Sequence, residues 1–244
     1  MVAGVSRPAR REGAKGQISR MRQPETSKRA VGAGHPATGR TDPGASPESG
    51  LPPGQYIPAS WPVLHYGRVP VFHPESWGMQ VFGATENGRD HRWGWDEFRS
   101  LPSCRVIADF HCVTKFSIPG IAWEGVPAAA LLRAVPPAAE VTHVMVWADF
   151  GYSANVRIAD FAADDTLFAT HRNGTELTPE HGYPVRLVVP GLYAWKSVKW
   201  VRAVEYLMAD RRGFWEERGY HNTADPWCEQ RYSYQERPGE GPPL

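Results

Sequence analysis

Cys112 is the residue whose type and position most directly suggest chemistry. It follows an apolar run and opens a polar one, in the segment Asp109-Phe110-His111-Cys112-Val113-Thr114-Lys115. A thiolate at the end of a strand can ligate a soft metal or act as a nucleophile. The neighbouring His111 and Lys115 would favour the thiolate form. The local pattern alone is equally compatible with an inert, buried thiol.

The other two cysteines carry weaker signals. Cys104 stands at a predicted strand entrance and is expected to be a half-buried small hydrophobe. Cys228 lies in the C-terminal segment and is expected to be exposed. The sequence contains no Cys-x-x-Cys, no His-Glu-x-x-His and no phosphate-binding glycine loop of the usual spacing, which argues against zinc.

A second group of candidate residues lies between His181 and Trp200. Arg186 stands among Val and Leu residues, and such an arginine needs an anionic partner if it is buried. That partner can be a carboxylate of the protein or an anionic ligand, and a phosphate would suit the nearby Ser197 and Lys199 as donors. The alternative is an ordinary ion pair, with Lys196 and Lys199 pointing to solvent.

Short strands must position these residues. Alternating or apolar runs predict a β-rich α+β domain with few helical turns. Asn173-Gly174 is a strong hairpin signal. Strands are predicted over 79–83, 105–110, 141–147, 152–158, 166–170, 185–189 and 201–208, and helical turns over 95–101 and 126–133.

Composition divides the chain into three parts. Residues 1–54 contain no aromatic residue, nine Gly and seven Pro, with nine basic against four acidic residues. Such a segment buries too little apolar surface to fold alone. We therefore predict a disordered basic arm over 1–55, a folded domain over 56–232 and a flexible tail over 233–244.

The net charge of +1 excludes a bulk electrostatic nucleic-acid binder. No apolar run reaches membrane-spanning length, so no membrane partner is expected. The pair Arg10-Arg11 is not followed by the apolar stretch of an export signal, and three cysteines suit a reducing compartment. These features predict a cytoplasmic protein.

Several segments together resemble the sulfite oxidase catalytic domain, in the cytosolic single-domain type of molybdopterin oxidoreductase. The resemblance covers roughly residues 60–232. The order and spacing of the segments make the signature specific. The segments are 109–114, 117–126, His181-Gly182-Tyr183-Pro184-Val185-Arg186, Lys196-Ser197-Val198-Lys199-Trp200 and 214–222.

The resemblance implies the sulfite oxidase molybdopterin-binding fold and a Mo-molybdopterin cofactor. It makes Cys112 the protein ligand of molybdenum, with Lys115, His111 or Thr114 facing the substrate. It implies oxygen-atom transfer on a small molecule, and a separate electron carrier as partner. The cofactor contacts that it implies are His65, Tyr66, Asp149, His181, Arg186, Ser197, Val198 (through its backbone) and Lys199.

Two other functions stay open on the sequence. One is a cysteine-based thiol enzyme that pairs Cys112 with His181 or His111. The other is a cofactor-binding module without redox activity, since His171-Arg172 departs from the residues usual in relatives. Sulfite-oxidising relatives also carry an arginine in the run after the metal cysteine, where this chain has Lys115 as its only cation.

Overall fold

The computed structural model describes residues 50–244, so the predicted arm lies outside the described residues except for its last few positions. Within residues 50–244 the chain forms ten strands and three short α-helices. The strands are β1 Gly78–Gly83, β2 His91–Gly94, β3 Cys104–His111, β4 Ser117–Pro127, β5 His143–Ala148, β6 Ser153–Arg157, β7 Leu167–Arg172, β8 Thr175–Glu176, β9 Arg186–Val188 and β10 Val201–Leu207. The α-helices are α1 Trp95–Arg99, α2 Ala128–Ala134 and α3 Ile158–Phe161.

The first sheet has the strand order β2-β1-β10-β5-β6. Its pairs are antiparallel except β1 with β10, which run parallel with Gln80 opposite Ala203. Buried residues of these strands, such as Val81, Val146 and Val204, pack with α2 in the larger apolar core. This sheet fixes one end of the 189–200 loop, because β10 begins immediately after it.

The second sheet has the order β3-β4-β7-β8, and β9 pairs with residues 167–169 of β7 along the same edge as β8. The turn between β7 and β8 is Asn173-Gly174, whose φ angles of 51° and 76° are those of a type I′ hairpin. β3 and β9 both belong to this sheet, so the positions after His111 and at Arg186 are held by one framework.

The structure confirms the β-rich α+β class and each strand predicted from the sequence, with ends shifted by a few residues. The sequence reading predicted neither β2 nor the long strand β4. Pro119 and Gly120 interrupt the apolar pattern of β4, although the strand lies between β3 and β7 and is paired on both sides. Pairing supplied by neighbouring strands therefore overrides the local signal.

The C-terminal residues contact the domain. Arg212 donates to both carboxylate oxygens of Glu236, at 2.9 and 2.6 Å, and to the carbonyl of Pro242. The division at residues 55 and 232 stays a prediction. Over residues 50–244, every helix falls short of the length and apolarity that crossing a membrane requires.

Candidate functional site

Cys112 occupies a tight turn immediately after β3. Its backbone N–H donates to the carbonyl of Phe116 at 2.8 Å, and its carbonyl accepts from the N–H of Lys115 at 3.0 Å. Lys115 adopts a positive φ of 76°, which closes the turn. The Cys112 side chain is only 8% exposed. The turn thus holds the sulfur at the edge of the core beneath the second sheet.

The surroundings of the Cys112 thiol shift its pKa in two opposite directions. Burial raises the pKa of Cys112, while the hydroxyl of Thr114, which donates to Sγ at 3.1 Å, opposes that rise. The positive charges of Arg231 and Lys199 also lower the pKa of Cys112. The sulfur therefore faces donors and cations, the setting in which a thiolate binds a metal.

Arg186, at the start of β9, is the most deeply buried cation of the site, with 1% of its surface exposed. Its Nη1 donates to the carbonyl of His181 at 3.0 Å and its Nη2 to the carbonyl of Ser197 at 3.1 Å. Within residues 50–244 no carboxylate pairs with it, and its Nε has no hydrogen-bond partner. Burial lowers the pKa of Arg186 to about 9.

Three aromatic rings surround the Arg186 guanidinium. Its Cζ lies 4.9 Å from the ring centroid of Phe110 and 5.6 Å from those of Trp61 and Trp123. Cation–π attraction stabilises a guanidinium in this position without neutralising its charge. The charge is thus available for an anionic ligand.

Lys199 and His181 extend the same positive region. Lys199 Nζ donates to the carbonyls of Leu64 and Glu180, at 2.7 and 2.6 Å. Burial, followed by the charge of Arg186, lowers the pKa of Lys199 to about 7. Burial, followed by the charges of Lys199 and Arg186, lowers the pKa of His181 to about 4. Burial and the neighbouring positive charges thus both favour the uncharged forms of Lys199 and His181.

The sulfur and the cations belong to one site. A negative charge on Cys112 raises the pKa of Arg186 and of Lys199, as expected for neighbouring groups. Their sequence separation is large, but β3 and β9 lie in one sheet. The structure therefore brings together Cys112, Arg186, Lys199 and His181, four of the residues predicted from the sequence.

Ser197 and Val198 are buried in the loop before β10 and take part in backbone support. Ser197 Oγ accepts from the N–H of Val189 at 3.0 Å, so its own proton remains available to an acceptor. The N–H of Val198 donates to the carbonyl of Lys196 at 3.1 Å, and its carbonyl accepts from Leu187. Backbone binding of a ligand by Val198 stays a prediction.

His65 and Tyr66 lie on an exposed segment that Lys199 ties to the site through the Leu64 carbonyl. The ring of His65 meets Trp200 edge-on at 5.4 Å, and the ring of Tyr66 lies 4.4 Å from that of Phe214. This placement leaves their predicted cofactor contacts untested.

Asp149 lies in the 3₁₀ turn Asp149–Gly151 between β5 and β6. Its carboxylate pairs with Arg202 at 3.2 Å. Burial raises the pKa of Asp149, and the charge of Arg202 opposes the rise. Within residues 50–244 the ionic partner of Asp149 is thus Arg202, and not Arg186 or Lys199.

The residues predicted to face the substrate differ in exposure. Thr114 and Lys115 are exposed on the Cys112 turn. His111 is buried, with Nδ1 2.8 Å from Ser117 Oγ, and burial lowers its pKa. Since Thr114 is the hydrogen-bond partner of the Cys112 sulfur, the structure offers no support for a cysteine–histidine pair.

Sequence reasoning missed Arg231 and Tyr152. Arg231 is buried, and its Nη1 donates to the carbonyl of Val113 at 2.6 Å, so it holds the Cys112 turn from the C-terminal segment. The Tyr152 hydroxyl donates to the carbonyl of Trp195 at 2.6 Å, and burial raises its pKa well above the usual value. No motif marked either residue, because both come close to Cys112 only through folding.

A buried ion pair supports the 189–200 loop from below. Lys196 Nζ lies 2.6 Å from Glu216 Oε1, and both side chains are almost fully buried. The same ammonium donates to two atoms of Asn155 and to the carbonyl of Asn222. Lys196 is therefore a structural cation and not a solvated one, unlike the sequence alternative that placed it in solvent.

The donor set fits an anionic cofactor with a soft metal. Three buried nitrogen atoms around the Trp61 ring have no partner within residues 50–244: Arg186 Nε, His181 Nε2 and Trp123 Nε1. Buried donors left unsatisfied cost free energy, and an oxygen-rich ligand would satisfy them. The Cys112 sulfur adds a soft donor suited to such a metal.

A family model described as "Oxidoreductase molybdopterin binding domain" matches residues 66–215, more than half of the chain. The chain belongs to this family. Membership confirms the predicted molybdopterin cofactor and the oxidoreductase class. It also agrees with the sulfite oxidase-like resemblance drawn from the sequence.

Individual proteins of known sequence are also similar to the chain. It is 38% identical over 193 residues to "Uncharacterized oxidoreductase YuiH" of Bacillus subtilis, covering 78% of this chain and 96% of that protein. It is 40% identical over 185 residues to the sulfite oxidase of Gallus gallus, covering 62% of this chain and 39% of that protein. A protein-methionine-sulfoxide reductase catalytic subunit of Gluconobacter oxydans is 25% identical, with 64% and 56% covered.

A solved structure shares the fold. The sulfane dehydrogenase SoxCD of Paracoccus pantotrophus matches with a TM-score of 0.53 and 21% identity, over 59% of this chain and 41% of that chain. At this identity the likeness concerns architecture alone. It confirms the predicted sulfite oxidase-like molybdopterin-binding fold.

Proposed function

We propose that this oxidoreductase transfers an oxygen atom to or from a small molecule at a molybdenum centre held by Cys112. The observation that carries the proposal is the combination of a buried thiol and a buried arginine without a carboxylate partner in one site. A soft ligand and an uncompensated cation are what a metal bound to an anionic chelate requires.

The residues divide the work of holding the cofactor. The Cys112 sulfur would bind the metal as thiolate, and the Thr114 hydroxyl would stabilise that form through its hydrogen bond. Arg186 and Lys199 would neutralise the anionic end of the pterin, and His181 would donate a hydrogen bond to it. Proton uptake by Lys199 would accompany binding at neutral pH, because its pKa of about 7 rises beside an anion.

When bound, the molybdenum cofactor supplies the two-electron chemistry and the exchangeable oxygen. The protein side supplies orientation and a dry environment. Phe110 and Trp123 are buried beside Arg186 and keep water from the guanidinium. The hydroxyl of Ser197, whose proton is not used in its bond from Val189, would donate to the cofactor.

His65 and Tyr66 are proposed as contacts from the exposed side, and Val198 through its backbone. Asp149 has the least support, because Arg202 already neutralises it. The exposed Thr114 and Lys115 would meet the substrate, with His111 supporting the turn from behind.

Oxygen-atom transfer releases or consumes two electrons for each turnover. We propose that a separate carrier exchanges these electrons, that the substrate is a small sulfur or nitrogen compound, and that the protein acts in the cytoplasm. The carrier and the substrate class are supported by the family's chemistry and by the relatives, one a sulfite oxidase and another a methionine-sulfoxide reductase.

Metal analysis tests the Cys112 assignment. Protein purified from a host that makes the cofactor should carry close to one molybdenum atom per chain and show a Mo(V) paramagnetic signal after partial reduction. Cys112→Ser removes one soft ligand of the metal. The Mo(V) signal of this variant should no longer be that of a centre with a protein sulfur ligand, and its activity should fall at least about tenfold.

Cys228→Ser is the matched control, because that cysteine is exposed. It should leave metal content, signal and activity unchanged. A Cys112→Ser protein with an unaltered Mo(V) signal and full activity would refute the metal-ligand role.

A further inference from the structure

Arg172 is a cation beside the site that the sequence reading treated only as a departure from relatives. It ends β7, immediately before the Asn173-Gly174 turn, and lies opposite Trp123 of β4 in the sheet. Its guanidinium lies 4.4 Å from the ring centroid of Trp61. Among residues 50–244 no carboxylate pairs with it and no hydrogen bond is formed by its side chain. The contact with Trp61 therefore holds the guanidinium over the indole ring and leaves its N–H groups available.

Trp61 connects Arg172 to the cofactor-binding cations. The ring of His181 stacks on Trp61, with centroids 4.0 Å apart and planes 22° apart. The guanidinium of Arg186 lies 5.6 Å from the same indole ring. Three nitrogen-rich side chains thus surround one tryptophan.

The charge of this cluster is uncompensated. The positive charge of Arg172 lowers the pKa of both His181 and Arg186, so the groups repel one another. Glu180 is the acidic neighbour, and its side chain is exposed to solvent. Accumulated like charge costs free energy unless an anion offsets it, and a group with two or more negative charges offsets it best.

We propose that Arg172, held over the Trp61 ring, is a further binding residue for the phosphoryl end of the organic cofactor. The inference rests on the proposed function, since it takes the anionic end of the pterin as the ligand. Arginine suits this position because its planar fork gives two parallel hydrogen bonds to phosphate oxygens. His181 Nε2, a buried nitrogen without a partner in the described chain, would contact the same group.

Binding of inorganic pyrophosphate and phosphate to cofactor-free protein tests the inference without any turnover. Calorimetric titration at fixed ionic strength should show pyrophosphate binding to the unaltered protein. Arg172→Gln should weaken it about tenfold, the loss expected for one charge-assisted hydrogen-bonded contact. Trp61→Leu should weaken it by a smaller factor, about threefold, because the guanidinium loses its support.

Arg105→Gln is the matched control. Arg105 lies on β3 of the same sheet, but it is exposed and faces Glu124 at 3.8 Å. The Arg105→Gln protein should bind pyrophosphate as the unaltered protein does. Equal affinity in Arg172→Gln and the unaltered protein would overturn the inference, and so would an equal loss in both glutamine variants, which would indicate only diffuse charge attraction.

Failure of this inference and failure of the proposed function give different results. The protein could contain molybdenum and pterin at normal levels while pyrophosphate binding does not depend on Arg172. That result would refute the role of Arg172 and leave the proposed function intact. Arg172-dependent pyrophosphate binding in a protein that never takes up molybdenum would support the anion site and refute the molybdenum proposal.

Discussion

Arg186→Met separates the cost of an unpaired buried charge from its use in cofactor binding. Burial lowers the pKa of Arg186 by more than three units, to about 9. At about 1.36 kcal/mol for each pKa unit, the buried charge costs on the order of 5 kcal/mol in cofactor-free protein. Methionine removes this cost, but it leaves the carbonyls of His181 and Ser197 without their donor, at about 1–3 kcal/mol each.

The two effects nearly cancel, so the free energy of unfolding of cofactor-free Arg186→Met should lie within about 2 kcal/mol of the unaltered protein. In cofactor-loaded protein the arginine offsets a buried anion, and its removal should cost a further ~3–5 kcal/mol. Urea unfolding of both forms, followed by tryptophan fluorescence, measures the difference.

Arg212→Met is the control, because Arg212 is also buried but forms two hydrogen bonds to the Glu236 carboxylate. It should cost ~3–5 kcal/mol whether or not the cofactor is bound. A large and equal loss for Arg186→Met in both forms would refute the reasoning, since it would show that Arg186 is an ordinary structural cation.

Two further predictions concern the neighbours of the site. Arg231→Gln should remove the donor to the Val113 carbonyl and destabilise the protein by about 1–3 kcal/mol. Amide hydrogen exchange should then become faster in residues 113–116 but not in β10. Equally faster exchange in both segments would contradict a local role for Arg231. The stability of cofactor-free protein should fall as pH drops from about 6.5 to 4, because the unfolded state binds a proton at His181 that the folded state, with a pKa of about 4, does not. In His181→Gln this part of the pH profile should flatten, as measured by urea midpoints, and an unchanged slope would exclude His181 as its source.

The sequence predicted the fold class and most strands because their apolar runs are short, continuous and bounded by turn residues. The Asn173-Gly174 hairpin was predictable from two residues, since both must adopt positive φ. β4 was missed because Pro119 and Gly120 break its local pattern, and pairing with β3 and β7 is a property of the assembled sheet.

The site was predictable only in part. Cys112 and Arg186 each stood out by residue type, but their proximity followed from the resemblance and not from the 74 positions that separate them. Arg172 and Arg231 gave no local signal: one is recognised by its contact with the Trp61 ring and the other by its bond to Val113. Contacts of this kind depend on distant segments, which no window of sequence contains.

The buried Lys196–Glu216 pair has a consequence for how the holoenzyme is assembled. Because this pair and the Asn155 and Asn222 contacts anchor the 189–200 loop internally, the wall that presents Ser197 and Lys199 exists before any pterin arrives. Cofactor binding then costs little conformational entropy, because the loop is already ordered. The cofactor-free protein should therefore already have the conformation of this wall that binds the cofactor. Formation of the holoenzyme then depends on the supply of cofactor and not on refolding of the loop.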